Sequence, residues 1–183
     1  SEYGINASGP TEAEPLMPNS HYAVSKAAAS HAIQYFGKIR SVPAVNLRVY
    51  SAYGPYEDSS RLFPVLCERS LHAQLPTFAA PGVTHDFIHV DDIVSAILTL
   101  IKNEDVKGII DIGTGQSNSL KSITKEFGVS PKVKMDTPHE RTDNVADISV
   151  LKDLGWSPVI ELMKFLKDKK ELDFSEEPKY NSI

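Results

Sequence analysis

Tyr22 and Lys26 are the residues whose types and spacing point most directly to chemistry. Two residues four apart lie on the same face of an α-helix, so their phenol and ammonium groups are neighbours if the segment is helical. A phenol titrates near ~10 and is a poor acid or base at neutral pH, but a nearby positive charge stabilises the phenolate and lowers that pKa. Such a pair suits proton transfer at a hydroxyl or carbonyl group. The alternative is an ordinary solvated helix face, because the spacing by itself is common.

The segments around this pair predict the elements that position it. A loop rich in Pro, Gly and Glu precedes the pair, and Asn19 or Ser20 then offers an N-cap for an Ala-rich helix reaching about Phe36. The run at 44–48 reads as a strand. Strands and helices alternate along the chain, which predicts an α/β fold with a parallel sheet for the first strands.

Three further local predictions concern segments later in the chain. Ser60 is expected to cap a helix beginning at Arg61, and Asp91 to cap an apolar-striped helix reaching about Lys102. Gly113-Thr-Gly115 resembles a phosphate-binding turn but lacks a further glycine, so we interpret it as a plain turn after a strand at 108–112.

Composition narrows the class of protein. The chain has 183 residues, of which 23% are charged, and a net charge of −5, which fits a globular protein and argues against a broad basic surface for nucleic acid. It has no apolar run of about 18 residues, so we predict no membrane span and a cytoplasmic location. The single cysteine, Cys67, is expected to be a small core residue. His85 and His89 are four apart, but no third ligand follows at a familiar spacing, so we predict no metal site.

Ordered short motifs cover the chain from Glu2 to about Pro158. They are Glu2-Tyr-Gly4, Pro18-x-x-x-Tyr22-x-x-x-Lys26, Leu47-Arg48, Tyr53-Gly-Pro55, Arg61-Leu-Phe-Pro64, Asp86-Phe-Ile-His-Val-Asp-Asp92, Asp111-Ile-Gly-Thr-Gly115, Ala146-Asp-Ile-Ser149 and Leu154-Gly-Trp156. In order and spacing the chain resembles the extended short-chain dehydrogenase/reductase family, specifically its nucleotide-sugar epimerases, dehydratases and ketoreductases.

The resemblance implies a Rossmann-type domain and a smaller substrate lobe. It assigns 1–55 to the end of the Rossmann-type domain, 56–172 mainly to the substrate-binding lobe, and 173–183 to a loose tail. In the family, a dinucleotide-binding half of roughly a hundred residues with a Gly-rich turn precedes the first motif, and this chain has no G-x-G-x-x-G run. We therefore expect a fragment of a longer enzyme, with a natural split protein as the alternative.

The resemblance also implies roles for particular residues. Tyr22 would carry the proton and Lys26 would tune it and bind the nicotinamide ribose of NAD or NADP, with Val49 and Tyr50 beside the nicotinamide. Tyr50 as a simple core residue is the alternative. A homodimer through the Tyr22 helix is also implied. The residues expected to bind a nucleotide-sugar substrate are Ser51, Arg61, Leu62, Phe78, His85 and Arg141.

Two of these substrate positions depart from the family pattern. Ser51 stands where the family has a longer Asn, and His85 stands where a guanidinium usually precedes the Asp-Phe pair. An Arg such as Arg141 suits a diphosphate because its planar fork pairs with phosphate in a bidentate manner.

The predicted reaction is that of an epimerase or a 4-ketoreductase. Dehydratases place a Glu two residues before the Tyr of Tyr-Gly, and that position is Ser1 here, while Glu2 lies one residue before Tyr3. A 4,6-dehydratase therefore remains an alternative, as does a non-catalytic module that binds a nucleotide or a partner protein.

Overall fold

The computed structural model describes residues 17–71, 77–78, 84–128, 132–133 and 145–168, with the backbone alone at 69–71, 77–78 and 132–133. Helices and strands alternate through the described segments, as an α/β fold requires. In chain order the elements are α1 (His21–Ile39), β1 (Val45–Val49), β2 (Ser51–Tyr53), α2 (Leu62–Leu71), β3 (Thr77–Phe78), β4 (Thr84–His85), β5 (Phe87–His89), α3 (Val90–Ile101), β6 (Gly108–Ile112), β7 (Asn118–Ser119), α4 (Leu120–Glu126), β8 (Lys132–Val133), α5 (Ser149–Asp153) and α6 (Leu162–Asp168).

The strand pairing confirms the predicted parallel sheet. β1 pairs with β6 in parallel, β2 pairs with β5 in parallel, and β3 pairs with β8 in parallel, whereas β4 and β7 are antiparallel. Two neighbouring parallel strands need a crossover connection between them. Helix α3 follows β5 and precedes β6, so it forms part of the connection that leads from β1 to its parallel partner β6.

Helix α3 and the β1–β6 pair share one hydrophobic core. The helix is apolar on the face that packs inward, and its residues Ala96 and Leu100 are buried. This first core consists of Ile88, Ala96, Leu100, Ile110, Ile112, Leu151 and Trp156. The indole nitrogen of Trp156 donates a hydrogen bond to the Ser95 hydroxyl at 2.8 Å, so its polar atom is satisfied while the ring is buried.

Helix α1 packs against β1 through small side chains. Ser20 is the N-cap, and its hydroxyl accepts a hydrogen bond from the backbone N–H of Ala23 at 3.1 Å, which confirms one of the two predicted caps. Ala23, Ala27 and Ser30 are the buried residues of the helix. Because they are small, the helix approaches the strand closely, and the Ser30 hydroxyl accepts a hydrogen bond from Asn46 at 2.6 Å.

A second core joins β2 and β5 to helices α2, α4 and α6. Its aromatic rings meet at centroid distances of 5.2–5.3 Å. The buried residues of this core are Tyr53, Phe63, Leu66, Cys67, Phe87, Ile123, Phe127, Leu162 and Leu166. Cys67 is thus a core residue, as expected, and burial raises the pKa of its thiol to about 11.

Two helix starts differ from the sequence-based expectation. The N-cap of α3 is His89, whose Nδ1 accepts the backbone N–H of Asp91 at 3.2 Å, so the prediction that Asp91 is the cap was wrong. A neutral imidazole nitrogen can accept this bond as a carboxylate would, and sequence rules favour the acid. Helix α2 begins at Leu62, one residue later than predicted.

Asp92, the next residue of α3, has a different structural role. It is buried, and its carboxylate accepts the backbone N–H groups of Val159 and Ile160 at 3.1 and 3.0 Å. It therefore ties the chain before α6 to the start of α3.

The division into two lobes at residue 55 stays a prediction. The β1–β6 pairing joins residues 45–49 and 108–112 in one sheet, on either side of that boundary. In the described part of the chain, no helix combines the length and the apolar character needed to cross a bilayer.

Candidate active site

Tyr22 and Lys26 lie side by side on the exposed face of α1. The Tyr22 residue is 62% exposed, and the Lys26 ammonium lies 5.3 Å from the centroid of its ring. This distance is within the range of a cation–π contact, which keeps the positive charge next to the phenol. The small Ala23 and Ala27 side chains pack inward, so the helix presents this pair outward near its N-terminus.

The carboxyl end of β1 carries the predicted cofactor-adjacent residues. In parallel sheets, ligands bind beyond the carboxyl ends of the strands. Val49 ends β1 and is 45% exposed, and Tyr50 follows it with its hydroxyl 3.3 Å from the Asp111 carboxylate. Tyr50 is half-buried, and its hydroxyl group is hydrogen-bonded. Its partial burial fits a core residue, and its partial exposure fits a residue beside the nicotinamide.

The chain changes its strand partner at this point. The backbone N–H of Tyr50 donates to the carbonyl oxygen of Ile112 at 2.9 Å, whereas that of Ser51 donates to the carbonyl oxygen of Asp86 at 3.0 Å. Strand β1 is thus paired with β6, and β2 with β5. Ser51 lies at the junction, half-buried.

The Gly113-Thr-Gly115 turn after β6 encloses a buried carboxylate. Asp86 is fully buried, and its Oδ1 accepts the backbone N–H and the hydroxyl of Thr114 at 2.8 and 2.6 Å. Its Oδ2 accepts the backbone N–H groups of Gly115 and Ala146 at 2.8 and 3.1 Å. The segment is therefore a turn, as predicted, and its amides bind a side chain of the same molecule.

Only a glycine fits at the first position of this turn. A Cβ atom on Gly113 would lie 2.4 Å from the Cβ of Ala146 and 2.7 Å from the Oδ2 of Asp86. The glycine thus allows the turn to approach the carboxylate closely.

Arg61 forms an ion pair with Glu57 in the loop before α2. The Nε of Arg61 lies 3.5 Å from the Oε1 of Glu57, and the Arg61 side chain is 58% exposed while that of Glu57 is 9% exposed. Leu62, the first residue of α2, packs against the second core. Of this predicted substrate pair, Arg61 reaches solvent and Leu62 anchors the helix.

The remaining predicted substrate residues are described to different extents. His85 is half-buried in β4, and its ring centroid lies 5.6 Å from that of Phe87. Phe78 is in β3, where its backbone is paired with Val133. Arg141 lies outside the described residues.

His89 has a structural environment rather than that of a metal ligand. It caps α3, and its ring packs at 5.3 Å from Tyr53 and 5.0 Å from Phe165. Burial lowers its pKa, so the neutral form that accepts the Asp91 N–H is favoured. Among the residues with described side chains, no group of three His, Cys, Asp or Glu could hold a metal ion.

Sequence reasoning missed Glu57 and the central position of Asp86. Glu57 is four residues before Arg61, a spacing that signals a possible ion pair, but the spacing does not reveal that the Glu57 side chain is only 9% exposed. The hydrogen bonds of Asp86 join residues 28 to 60 positions away, and local sequence patterns do not reveal such contacts.

Fold and site together define an α/β protein with the Tyr-x-x-x-Lys helix beside a parallel sheet. The model of the NAD dependent epimerase/dehydratase family matches residues 1–113. The chain belongs to this family, whose characterised relatives are enzymes acting on nucleotide sugars.

Known proteins of two activities are similar to the chain. A dTDP-glucose 4,6-dehydratase from Xanthomonas campestris is 26% identical over 166 residues, which cover 81% of this chain and 47% of the relative. A dTDP-L-rhamnose 4-epimerase from Burkholderia thailandensis is 28% identical over 157 residues, with coverages of 77% and 42%. The chain thus spans about half the length of the curated relatives it matches.

The fold also matches a solved epimerase. The structure is that of a tyrosine-to-phenylalanine mutant of UDP-glucuronic acid 4-epimerase from Bacillus cereus, in complex with UDP-4-deoxy-4-fluoro-glucuronic acid and NAD. It is 25% identical, the TM-score is 0.77, and the match covers 93% of this chain and 57% of that one.

Proposed function

We propose that this chain is the catalytic and substrate-binding portion of an NAD(P)-dependent nucleotide-sugar epimerase or 4-ketoreductase, with Tyr22 as the proton carrier. The observation that carries the proposal is the exposed Tyr22 phenol with the Lys26 ammonium 5.3 Å from its ring. The exposure of the phenol leaves it open to a substrate hydroxyl, and the Lys26 ammonium is held beside it.

The residues of this chain fit one end of a nicotinamide cofactor. Lys26 is exposed, and its ammonium is suited to ribose hydroxyls. Val49 exposes an apolar side chain at the carboxyl end of β1. In this proposal Lys26 holds the ribose, and Val49 and Tyr50 lie beside the nicotinamide. When bound, the cofactor accepts or returns the hydride.

In this proposal Tyr22 transfers the proton to or from the sugar. In a ketoreductase its hydroxyl donates to the carbonyl oxygen that becomes an alcohol, and in an epimerase it removes and later returns the proton of the same sugar hydroxyl. In an epimerase the phenolate is thus the form that removes the proton and the phenol is the form that returns it, and in this proposal Lys26 tunes the exchange. Arg61 and His85, with Ser51, Leu62, Phe78 and Arg141, form the proposed nucleotide-sugar site.

The test is Tyr22→Phe in the full-length protein. It keeps the ring and removes the proton carrier, so we expect turnover of UDP- or dTDP-sugars to fall by about 100-fold or more, with little change in cofactor affinity. Tyr35→Phe is the matched control, because Tyr35 is also exposed on α1 and lies more than three turns away. Near-normal turnover of Tyr22→Phe would remove it from the mechanism.

A 4,6-dehydratase is the second candidate, favoured by the similarity to the Xanthomonas dehydratase. Product analysis separates the candidates: a dehydratase converts the sugar to a 4-keto-6-deoxy product, an epimerase inverts one centre, and a ketoreductase acts only on a keto-sugar. If purified protein turns over none of these but binds the nucleotide sugar, the non-catalytic module gains support.

Two further proposals concern assembly and the cofactor. We expect residues 1–183 alone not to bind NAD or NADP tightly, and micromolar affinity in calorimetry would contradict this. We also expect a homodimer through α1, whose exposed apolar residues include Val24, Phe36 and Ile39. Light scattering of the wild type and a Phe36→Asp variant tests the second expectation.

A further inference from the structure

Glu57 is a buried acid with an incomplete set of partners. Its Oε1 pairs with the Nε of Arg61 at 3.5 Å, while its Oε2 is buried and accepts no hydrogen bond from the described residues. The preceding residue, Tyr56, has φ of 64°, in the left-handed region that a non-glycine residue rarely adopts. Beside this strained residue the Glu57 side chain is 9% exposed, whereas that of Arg61 is 58% exposed.

The charged and titratable groups around Glu57 show how its charge is balanced. Arg61 carries the opposing positive charge, and its side chain is largely exposed to solvent. The Glu57 carboxylate contributes to the raised pKa of the Cys67 thiol on α2, which is therefore neutral. Asp58, the next residue, is exposed and is bound to the N–H and hydroxyl of Ser60. Burial raises the pKa of Glu57 to about 7, and the nearby Arg61 opposes this shift only in part.

We propose that Glu57 is the proton-linked partner of Arg61, so that Glu57 takes up a proton when a diphosphate binds the Arg61 guanidinium. This inference rests on the proposed nucleotide-sugar site. The pair contact uses Nε, and the exposed end of Arg61 carries the Nη nitrogens that suit a phosphate. A phosphate there competes for the positive charge, so the buried carboxylate loses its counter-charge and its neutral form is favoured.

Because of thermodynamic linkage, this coupling can be measured either as proton uptake on binding or as the pH dependence of the affinity. If phosphate binding favours protonated Glu57, then protonated Glu57 must favour phosphate binding by the same factor. A rise of about half a pKa unit to one unit on binding corresponds to a roughly three- to tenfold change in affinity. It also corresponds to uptake of about 0.3–0.4 proton at pH 7.

The experiment is isothermal calorimetry of the full-length protein with UDP-glucose and dTDP-glucose as probes. Their diphosphate is esterified at both ends, so the ligand itself does not titrate near neutrality. Titrations at pH 7 in buffers of different ionisation enthalpy give the number of protons taken up. We expect about 0.3–0.4 more proton in the wild type than in Glu57→Gln, and a gain in affinity of about 2.5- to fivefold from pH 8 to pH 6 that the variant lacks.

Two further variants make the test specific. Asp58→Asn removes an adjacent exposed carboxylate and should retain the uptake. Arg61→Gln keeps Glu57 but removes the cation, so it should weaken binding and abolish the Glu57-dependent part of the uptake; it also serves if Glu57→Gln folds poorly.

The outcomes separate this inference from the proposed function. Equal proton uptake in the wild type and Glu57→Gln, or wild-type binding by Arg61→Gln, would overturn the inference and leave the proposed function standing. Failure of the wild type to bind any UDP- or dTDP-sugar would overturn the proposed function and the inference with it.

Discussion

Asp86→Asn is the most informative test of how the site region is held together. The fully buried carboxylate accepts four hydrogen bonds, from Thr114 N, Thr114 Oγ1, Gly115 N and Ala146 N. An asparagine has the same shape but only one oxygen, and its NH₂ group must face backbone N–H donors. Whichever way the amide is turned, at least one buried backbone N–H loses its acceptor.

The expected loss follows from the number of donors affected. With the amide oxygen facing Thr114, the N–H groups of Gly115 and Ala146 are left without acceptors. Each buried unsatisfied donor costs about 1–3 kcal/mol, so this orientation would cost about 2–6 kcal/mol. In the opposite orientation the Thr114 hydroxyl can rotate, and the Thr114 N–H is the one donor left without an acceptor. This orientation costs less, so the variant should lose about 1–3 kcal/mol of unfolding free energy.

Urea unfolding of the full-length protein measures this loss, provided that the slope with denaturant is unchanged. Asp153→Asn is the control, because Asp153 is exposed at the end of α5, and its change should stay within about 0.5 kcal/mol. Hydrogen exchange should also accelerate at the Thr114 amide in Asp86→Asn. A loss below about 1 kcal/mol, with unchanged exchange at the Thr114, Gly115 and Ala146 amides, would refute the four-bond account.

Three other substitutions test separate features. Asp92→Asn should cost about 1–3 kcal/mol in urea unfolding, because one of the N–H groups of Val159 and Ile160 loses its acceptor; an equally stable variant would contradict that contact. Gly113→Ala should cost about 1–3 kcal/mol or fail to fold, because its Cβ has no room, and a wild-type melting temperature would count against the geometry. Glu57 has a folded-state pKa of about 7, above the ordinary 4.5, so its contribution is present below pH 4.5 and is lost as the pH rises through 7. Glu57→Gln should therefore gain stability relative to the wild type between pH 5 and pH 8, by about 2–3 kcal/mol, and a pH-independent difference would show that Glu57 titrates normally.

The predictable parts of the fold are those that local rules decide. An Ala-rich segment after Ser20 gave a confirmed helix, and the apolar run at 108–112 gave a confirmed strand, because capping and hydrophobicity act over a few residues. The exposed Tyr22–Lys26 pair was predictable for the same reason, since helix geometry alone places the two on one face.

The unpredictable parts depend on contacts that are distant in sequence. His89 replaced Asp91 as the cap of α3 because Tyr53 and Phe165 enclose the histidine and favour its neutral form. The carboxylate of Glu57 likewise acts on Cys67 of the second core, whose members come from both halves of the chain. Local propensity contains no information about either environment.

The Gly113-Thr-Gly115 turn shows why a glycine-rich motif is weak evidence for a phosphate site. Such turns attract anions because their backbone N–H groups converge, and here the anion is the Asp86 carboxylate of the same chain. A phosphate could bind these amides only by displacing a fully buried carboxylate, which would then lose four hydrogen bonds. Phosphate binding to the exposed guanidinium of Arg61 does not displace a carboxylate from four hydrogen bonds. It competes with the ion pair between Arg61 and Glu57, which is lost most easily when Glu57 is protonated. Binding of a substrate diphosphate is therefore expected to depend on Arg61 and on pH, and to be insensitive to changes in the turn that leave the fold intact.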